Sequence, residues 1–450
     1  MNFVITLILF LISSHAYSQT WQSDFITTGQ NENERFGAKL LLIDDINGDG
    51  NNDFVATSPS DSETFHRKGS INIISGVDGT LIAKASGDDF GQQIGQQVTY
   101  LGRHGDNLYK FAASSPFANT SSGPYSGLVR IYAYNPADET ISLWQELNGD
   151  NTGAMFGCSL AAFDDDNDGD KDLAIGSLGY STFDGCVEVL HINSTEASFA
   201  TIYEGPLASK ELFGFTLQPI EINNIDCLLI GSPFRNANRS GGVSILKPNK
   251  EISNFSNPIS GVNNAYLGYV IASGQDITGD SVQDTASSSP DTNTVVLWEN
   301  ISAPGHVITG SADSEFGTSI AMVPDNNFNN VSDLLIGSPG NGEALLYDVS
   351  VDPAIVISTF NGPTGYGSSV AHSGNQPGGS NGTSLSPILI GNPISSNKTG
   401  EIESLSQEFD PITITCPSDF EWYQTITINV TGLGSAASNG TLYWYVGTSP

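Results

Sequence analysis

The stretch FGCSLAAFDDDNDGDKDLAIGS, residues 156–177, decides the fold. Its middle holds six carboxylates within nine residues. Two carboxylates about 4 Å apart repel by roughly 4 kcal/mol at an effective dielectric of ~20, so the run is either a solvated acidic loop or a cation site. The spacing favours the cation. Asp164, Asp166, Asp168, Asp170 and Asp172 fall at alternate positions of a nine-residue loop, and Gly169 stands where such a loop turns sharply. Alternating oxygen donors around a glycine turn suit calcium, a hard cation that takes several oxygens. An EF-hand would place Glu at position 12 and a helix after it. Here that position is Ile175, inside Leu173-Ala174-Ile175-Gly176, which reads as a short buried strand. The loop therefore closes a β-hairpin, with Asp172 in the role of the last EF-hand ligand.

Working outward, the elements of this stretch recur. An aromatic-Gly pair stands at Phe36-Gly37, Phe90-Gly91, Phe156-Gly157, Phe213-Gly214, Phe316-Gly317 and Tyr366-Gly367, with Leu267-Gly268 as a seventh. A small-polar-Pro signal follows most of them: Ser58-Pro59, Ser115-Pro116, Ser232-Pro233, Ser289-Pro290, Ser338-Pro339 and Asn392-Pro393, with Ser177-Leu178 in that place in the third unit. A small apolar strand precedes each signal and an alternating strand follows it. Each unit reads as four short strands, and repeats of that size and content predict an all-β fold, a seven-bladed β-propeller of four-stranded blades.

The combination of Phe-Gly, an acidic DxDxDG loop and Gly-Ser-Pro is similar to the FG-GAP repeat, and seven of them resemble the N-terminal propeller of integrin α subunits. That resemblance implies calcium in the loops between strands 1 and 2 of a blade, and binding to other proteins. Nothing in the chain resembles the inserted metal-dependent adhesion domain of some α subunits. FG-GAP repeats also accompany secreted enzymes, so the resemblance leaves function open.

Four loops have the calcium pattern. Blade one offers Asp45, Asn47, Asp49 and Asp53 as side-chain donors and the carbonyl of Asn51, with Gly50 at the turn. Blade three offers the loop of Asp164, Asp166, Asp168, Asp170 and Asp172. Blade six offers Asp325, Asn327, Asn329 and Asp333, with Asn330 in place of the glycine; its lower charge predicts weaker binding. Blade five offers Asp276, Thr278, Asp280 and Asp284, with Ser281 at the turn. Blades two, four and seven lack the pattern. Carboxylate sets without His or Cys point to structural Ca2+ rather than a reactive metal.

With 15 basic and 49 acidic residues the chain has a formal net charge of −34, which disfavours nucleic acid and anionic membranes as partners. Residues 1–18 read as a secretory signal peptide, with an apolar core over residues 3–12 and Ala16-Tyr17-Ser18 as the cleavage site. No later run suits a membrane span. The expectation is a secreted or surface protein, with residues 20–409 as the propeller. Trp21 and its neighbours supply the last strand of blade seven, and residues 410–450 form a β-rich appendage or the start of a further domain. Cys158, Cys186, Cys227 and Cys416 form no CxxC pair and define no disulfide. The histidines are scattered, and no GxSxG elbow or HExxH helix occurs.

The expected function is thus a calcium-binding adhesion or ligand-binding module, not an enzyme. The alternative is a propeller-based or accessory module of a secreted polysaccharide-degrading enzyme. In antiparallel blades the 2–3 loops open on the face opposite the 1–2 calcium turns. On that face blades one to four carry Phe65, Arg67, Phe117, Tyr125, Tyr180, Phe183, Phe234, Arg235 and Arg239. Aromatics and Arg are enriched at binding hot spots. These residues form the candidate ligand face, for a protein or carbohydrate partner of acidic or sugar-like chemistry, with packing against neighbouring blades as the competing reading.

Overall fold

In the computed structural model, seven four-stranded antiparallel sheets form a ring. The structure describes residues 20–61, 67–88, 91–180, 183–205, 210–247, 250–279, 282–299, 304–327, 329, 331–372, 387–408, 413–415 and 429–431. Blade three shows the pattern, with strands Phe156–Phe163, Asp172–Ser177, Cys186–Ile192 and Ala197–Glu204 hydrogen-bonded in that order. The second strands are buried along most of their length, as in DLAIGS and in FVATS of blade one. Both of their faces meet protein, so they read as unbroken apolar and small residues. The outer strands are largely exposed, as in Ile355–Asn361 of blade six.

The first strand of each blade touches that of the next, and that of blade seven touches that of blade one. Blade seven is built from Ser369–His372, Ile388–Asn392 and Glu401–Glu408, with Thr20–Thr28 as its outer strand. Strands distant in sequence thus complete one sheet, and the ring has no open end to pair with another chain. Propeller residues 23–377 and 386–405 make one compact unit. The remaining residues fall in a second unit, in which Thr413–Thr415 pairs antiparallel with Asn429–Thr431.

Apolar clusters sit between blades. Val129 and Ile131 of blade two meet Leu160, Leu173, Ile175 and Leu190 of blade three. The aromatic-Gly pair joins neighbours. Phe156 bridges to Gly127 of the preceding blade and Phe36 to Gly400. A Cβ on Gly127 would stand 2.2 Å from the Phe156 carbonyl oxygen, and one on Gly400 2.1 Å from that of Phe36, so only glycine permits the approach. Hydroxyls tie the inner strands together: Ser159 Oγ donates to the Gly214 carbonyl at 2.6 Å, and Ser369 Oγ to that of Gly37 at 2.6 Å.

Blade two departs from the expected phase. The pair at the inter-blade position is Ile94-Gly95, not Phe90-Gly91. Ile94 is fully buried and bridges to Gly69, as Phe156 does to Gly127. Strand register decides between the two frames, because Val98 pairs with Ala113 and places Ile94 directly before the inner strand. Phe90 lies outside the described residues. Helical structure is confined to short turns such as Ser395–Lys398, and no described helix is long and apolar enough to cross a membrane.

Candidate metal centres

The loops of blades one and three fold alike. Asp45 accepts the N–H groups of Asp49 (3.1 Å) and Gly50 (2.8 Å). Asp164 accepts those of Asp168 (3.2 Å) and Gly169 (3.0 Å). Asn47 and Asp166 each accept from the fifth residue of their loop, and Asp49 and Asp168 from the seventh, Asn51 and Asp170. Gly50 and Gly169 both have φ of 95°, a left-handed turn that glycine makes without a Cβ clash. Blade six repeats the scheme: Asn329 N–H reaches Asp325 and Asn327, and Val331 N–H reaches Asn329. Blade five is looser. Gly279 N–H donates to Asp276, while the Thr278 hydroxyl donates to Asp284. Asp280, Ser281 and Asn330 lie outside the described residues.

The ninth position is the common core of the four loops. Asp53, Asp172, Asp284 and Asp333 are at most 2% exposed. Each accepts the N–H of the loop's second residue, Ile46 at 3.0 Å, Asp165 at 2.9 Å, Ile277 at 2.8 Å and Asn326 at 2.7 Å. Burial pushes the carboxyls of Asp53 and Asp172 up to about 6 and that of Asp333 up to about 8, against the pull of these backbone donors. A buried carboxylate whose charge is so poorly compensated is stabilised by a cation. In blade three the carboxylate oxygens of Asp164, Asp166 and Asp168 lie within 4.8 Å of one another. This all-oxygen donor set fits a calcium ion, which would supply charge neutralisation and fix the hairpin turn.

Blade three's loop has further neighbours. His191 stands 3.3 Å from Asp166 and 3.4 Å from Asp165, and Lys250 of blade four reaches Asp165 at 2.6 Å. Lys171 is paired with Asp226, which also accepts the Asp164 N–H at 2.9 Å. His104 of blade two approaches Asp170 at 3.7 Å.

Blade two reveals what the loop pattern concealed. At the foot of its second strand, where the other loops have the buried aspartate, stands Lys110. Ser58, Ser177 and Ser115 each stand five positions after Asp53, Asp172 and Lys110. The Lys110 side chain is fully buried. Its ammonium donates to Asp106 at 2.9 Å and to the Asn193 carbonyl at 3.4 Å, and lies 4.8 Å from the centre of the Trp144 ring. Aligning the second strands on their terminal Ser would have exposed this exchange of charge.

On the opposite face the predicted ligand residues divide. Phe117, Tyr125 and Phe183 are exposed at 53%, 57% and 47%. Tyr125 has its carbonyl on the Met155 N–H and so stands beside the crossing from blade two to blade three. Arg67 and Arg239 are exposed, with the Arg239 guanidinium 5.2 Å from the centre of the Phe234 ring. Phe234 itself packs on Tyr266, with ring centres 4.9 Å apart. Tyr180 donates its hydroxyl to Glu204 at 2.7 Å. Arg235 is turned inward. It pairs with Glu211 at 3.3 Å and donates to Ser244 Oγ at 2.6 Å, Asn254 Oδ1 at 3.1 Å and Ser232 Oγ at 3.2 Å. That network assigns it to blade four's own structure. Phe65 lies outside the described residues.

Seven four-stranded blades in a ring define a β-propeller, and its acidic 1–2 turns resemble those of integrin α subunits. The comparison with known proteins points the same way: the chain is 27% identical over 197 residues to integrin alpha-2 of Bos taurus, across 40% of this chain and 16% of that protein. The match thus spans a small part of that relative's length. No protein-family model matches the chain.

Proposed function

We propose that the chain is an exported, calcium-stabilised propeller that works as an adhesion or ligand-binding module and carries out no reaction of its own. Its metal is structural, and its partner, a protein or a carbohydrate, docks on the face opposite the calcium loops. The observation that carries this reading is the contrast between two sets of loops. The 1–2 turns gather carboxylates over buried aspartates, whereas the 2–3 loops of blades two and three expose Phe117, Tyr125 and Phe183. Exposed aromatics cost solvation and suit a binding surface. Extracellular placement agrees with the integrin alpha-2 similarity and with the calcium loops, since extracellular calcium is plentiful enough to fill sites of modest affinity.

The test is an array of extracellular proteins and glycans, probed with calcium-loaded protein and with a Phe117→Ala/Tyr125→Ala/Phe183→Ala variant. The expected result is at least one ligand whose signal falls in the variant while the melting temperature holds. A ligand bound equally by both, or no ligand for the loaded protein, overturns the placement of the site.

A further inference from the structure

A cleft of about 370 Å³ lies where the crossing from blade two meets blade three. It is at the lower end of the ~300–1,000 Å³ range of small-molecule sites. Its origin is legible in the strands. Leu190 and Ile192 of blade three's third strand pack on blade two. Side chains alternate along a strand, so Glu188 faces the same way and puts a carboxylate where the apolar interface would continue.

Blades one, two and seven hold polar residues at the matching place, two beyond the residue paired to the end of the second strand, and each is closed by neighbours. Asn72 donates to the Ala56 carbonyl at 3.1 Å. Arg130 is held between Glu146 and Asp88, each at 2.9 Å. Glu403 receives the Tyr366 hydroxyl at 2.7 Å. Glu188, among the described residues, accepts one hydrogen bond, from Ser177 Oγ at 3.1 Å. Its remaining acceptor capacity faces the cleft. Burial and the nearby charge of Asp150 both push its carboxyl up.

We propose that this cleft is a binding site for a pyranose sugar free of acidic groups, with an amine-bearing sugar held most tightly. The inference rests on the reading of the chain as a binding module and names its ligand class and site. The polar side chains come from separate segments: Asp150 and Asn151 from the crossing between blades, Ser177 from the second strand and Glu188 from the third. Acceptors spread around a small cavity match a polyol, which offers hydroxyl donors in several directions.

Phe199, 63% exposed, and Tyr180, oriented by its bond to Glu204, give aromatic surface for the C–H face of a ring. Among the described residues, no Lys or Arg lines the cleft. Uronates and sulfated sugars would meet carboxylates without a counter-charge at this place. A ring ammonium would gain a charge-assisted bond to Glu188 or Asp150.

The experiment is calorimetric titration of the calcium-loaded protein with oligosaccharides of glucosamine, glucose and galacturonic acid, and with a lysine-rich peptide. Glucosamine and glucose oligomers should saturate, the amine about tenfold tighter, and the galacturonate should give no binding. Phe199→Ala and Glu188→Gln should each weaken the sugar about tenfold or more. Phe199 is exposed, so its truncation leaves the fold intact and its result stands even where Glu188→Gln proves hard to prepare. The proposal is overturned by failure of both glucosamine and glucose, by unchanged affinity in Phe199→Ala, or by peptide binding without sugar binding. It falls alone when the array yields a ligand that Phe199→Ala still binds normally. An array blank for the loaded protein brings down the binding-module reading as well.

Discussion

Blades two and three solve the same electrostatic problem in opposite ways. In blade three the foot of the second strand is Asp172, almost wholly buried and surrounded by further carboxylates. On the proposed reading, a cation from solution neutralises its charge. In blade two the same place holds Lys110, a buried ammonium carried by the chain itself, paired with Asp106 and set against Trp144. There the turn is short, with Asn107 N–H on the His104 carbonyl and His104 N–H on that of Leu108. The comparison teaches that the foot of a second strand can carry its own positive charge, as with Lys110, or a buried carboxylate suited to a cation, as with Asp172. It also separates calcium-dependent stability from calcium-independent stability within one ring.

The largest expected effect is on the whole ring. Each filled loop contributes about 2.7 kcal/mol at a calcium concentration 100 times its dissociation constant. Removing metal from the loops of blades one and three should therefore lower the melting temperature by on the order of 5–10 °C, reversibly on adding calcium back. Scanning calorimetry of dialysed and reloaded protein checks this.

Next comes Asp172→Asn. In calcium it should cost about 2–3 kcal/mol, the contribution of one site. Without calcium the sign should reverse, because the substitution removes a buried charge that two backbone N–H groups and His191 offset only in part. Denaturant titrations in both conditions would show the crossing. A loss that is equal in both would break the contrast with blade two.

Lys110→Met should cost less, about 1–2 kcal/mol, from the lost ion pair and ring contact. The cost should be the same with and without calcium. A calcium-dependent cost would mean that blade two also leans on its neighbour's metal.

The smallest effect is with pH. Asp53, Asp172 and Asp333 have folded-state values raised above the ordinary 3.8. In metal-free protein such groups hold protons more tightly when folded than when unfolded, so stability falls as pH rises through the folded values and recovers on acidification. Calcium instead requires the ionised form. The gap in melting temperature between loaded and metal-free protein should narrow as the pH is lowered from about 8 toward about 4. A gap that widens would contradict the burial of these carboxylates.

The legible part of the molecule was the part that repeats. The aromatic-Gly pairs and the buried second strands made the blade count readable, because glycine is irreplaceable where Gly127 meets Phe156 and Gly400 meets Phe36. The loops were readable because ligand spacing is local. What stayed hidden depended on contacts between blades. DDFGQQIGQQV holds two frames, and strand pairing chose Ile94-Gly95. Arg235 looked like a surface hot spot until its guanidinium was placed among Ser232, Ser244, Asn254 and Glu211. Glu188 was invisible as a cleft residue because only the facing of one blade on the next leaves it, among the described residues, with Ser177 alone as a hydrogen-bond partner.

The central claim, that acidic 1–2 turns hold structural calcium, is tested most directly by counting the metal. Metal-free protein is equilibrated with calcium, and bound ion is measured for the wild type, for Asp168→Ala, whose side chain is at the exposed end of the loop, and for Lys110→Met. Asp49→Ala serves as the matching variant in blade one. The account predicts about two tight equivalents in the wild type from the loops of blades one and three, with weaker uptake by those of blades five and six. Each aspartate variant should lose about one tight equivalent, and Lys110→Met none. Wild type without tight calcium, or an Asp168→Ala variant that binds as much as the wild type, would contradict it.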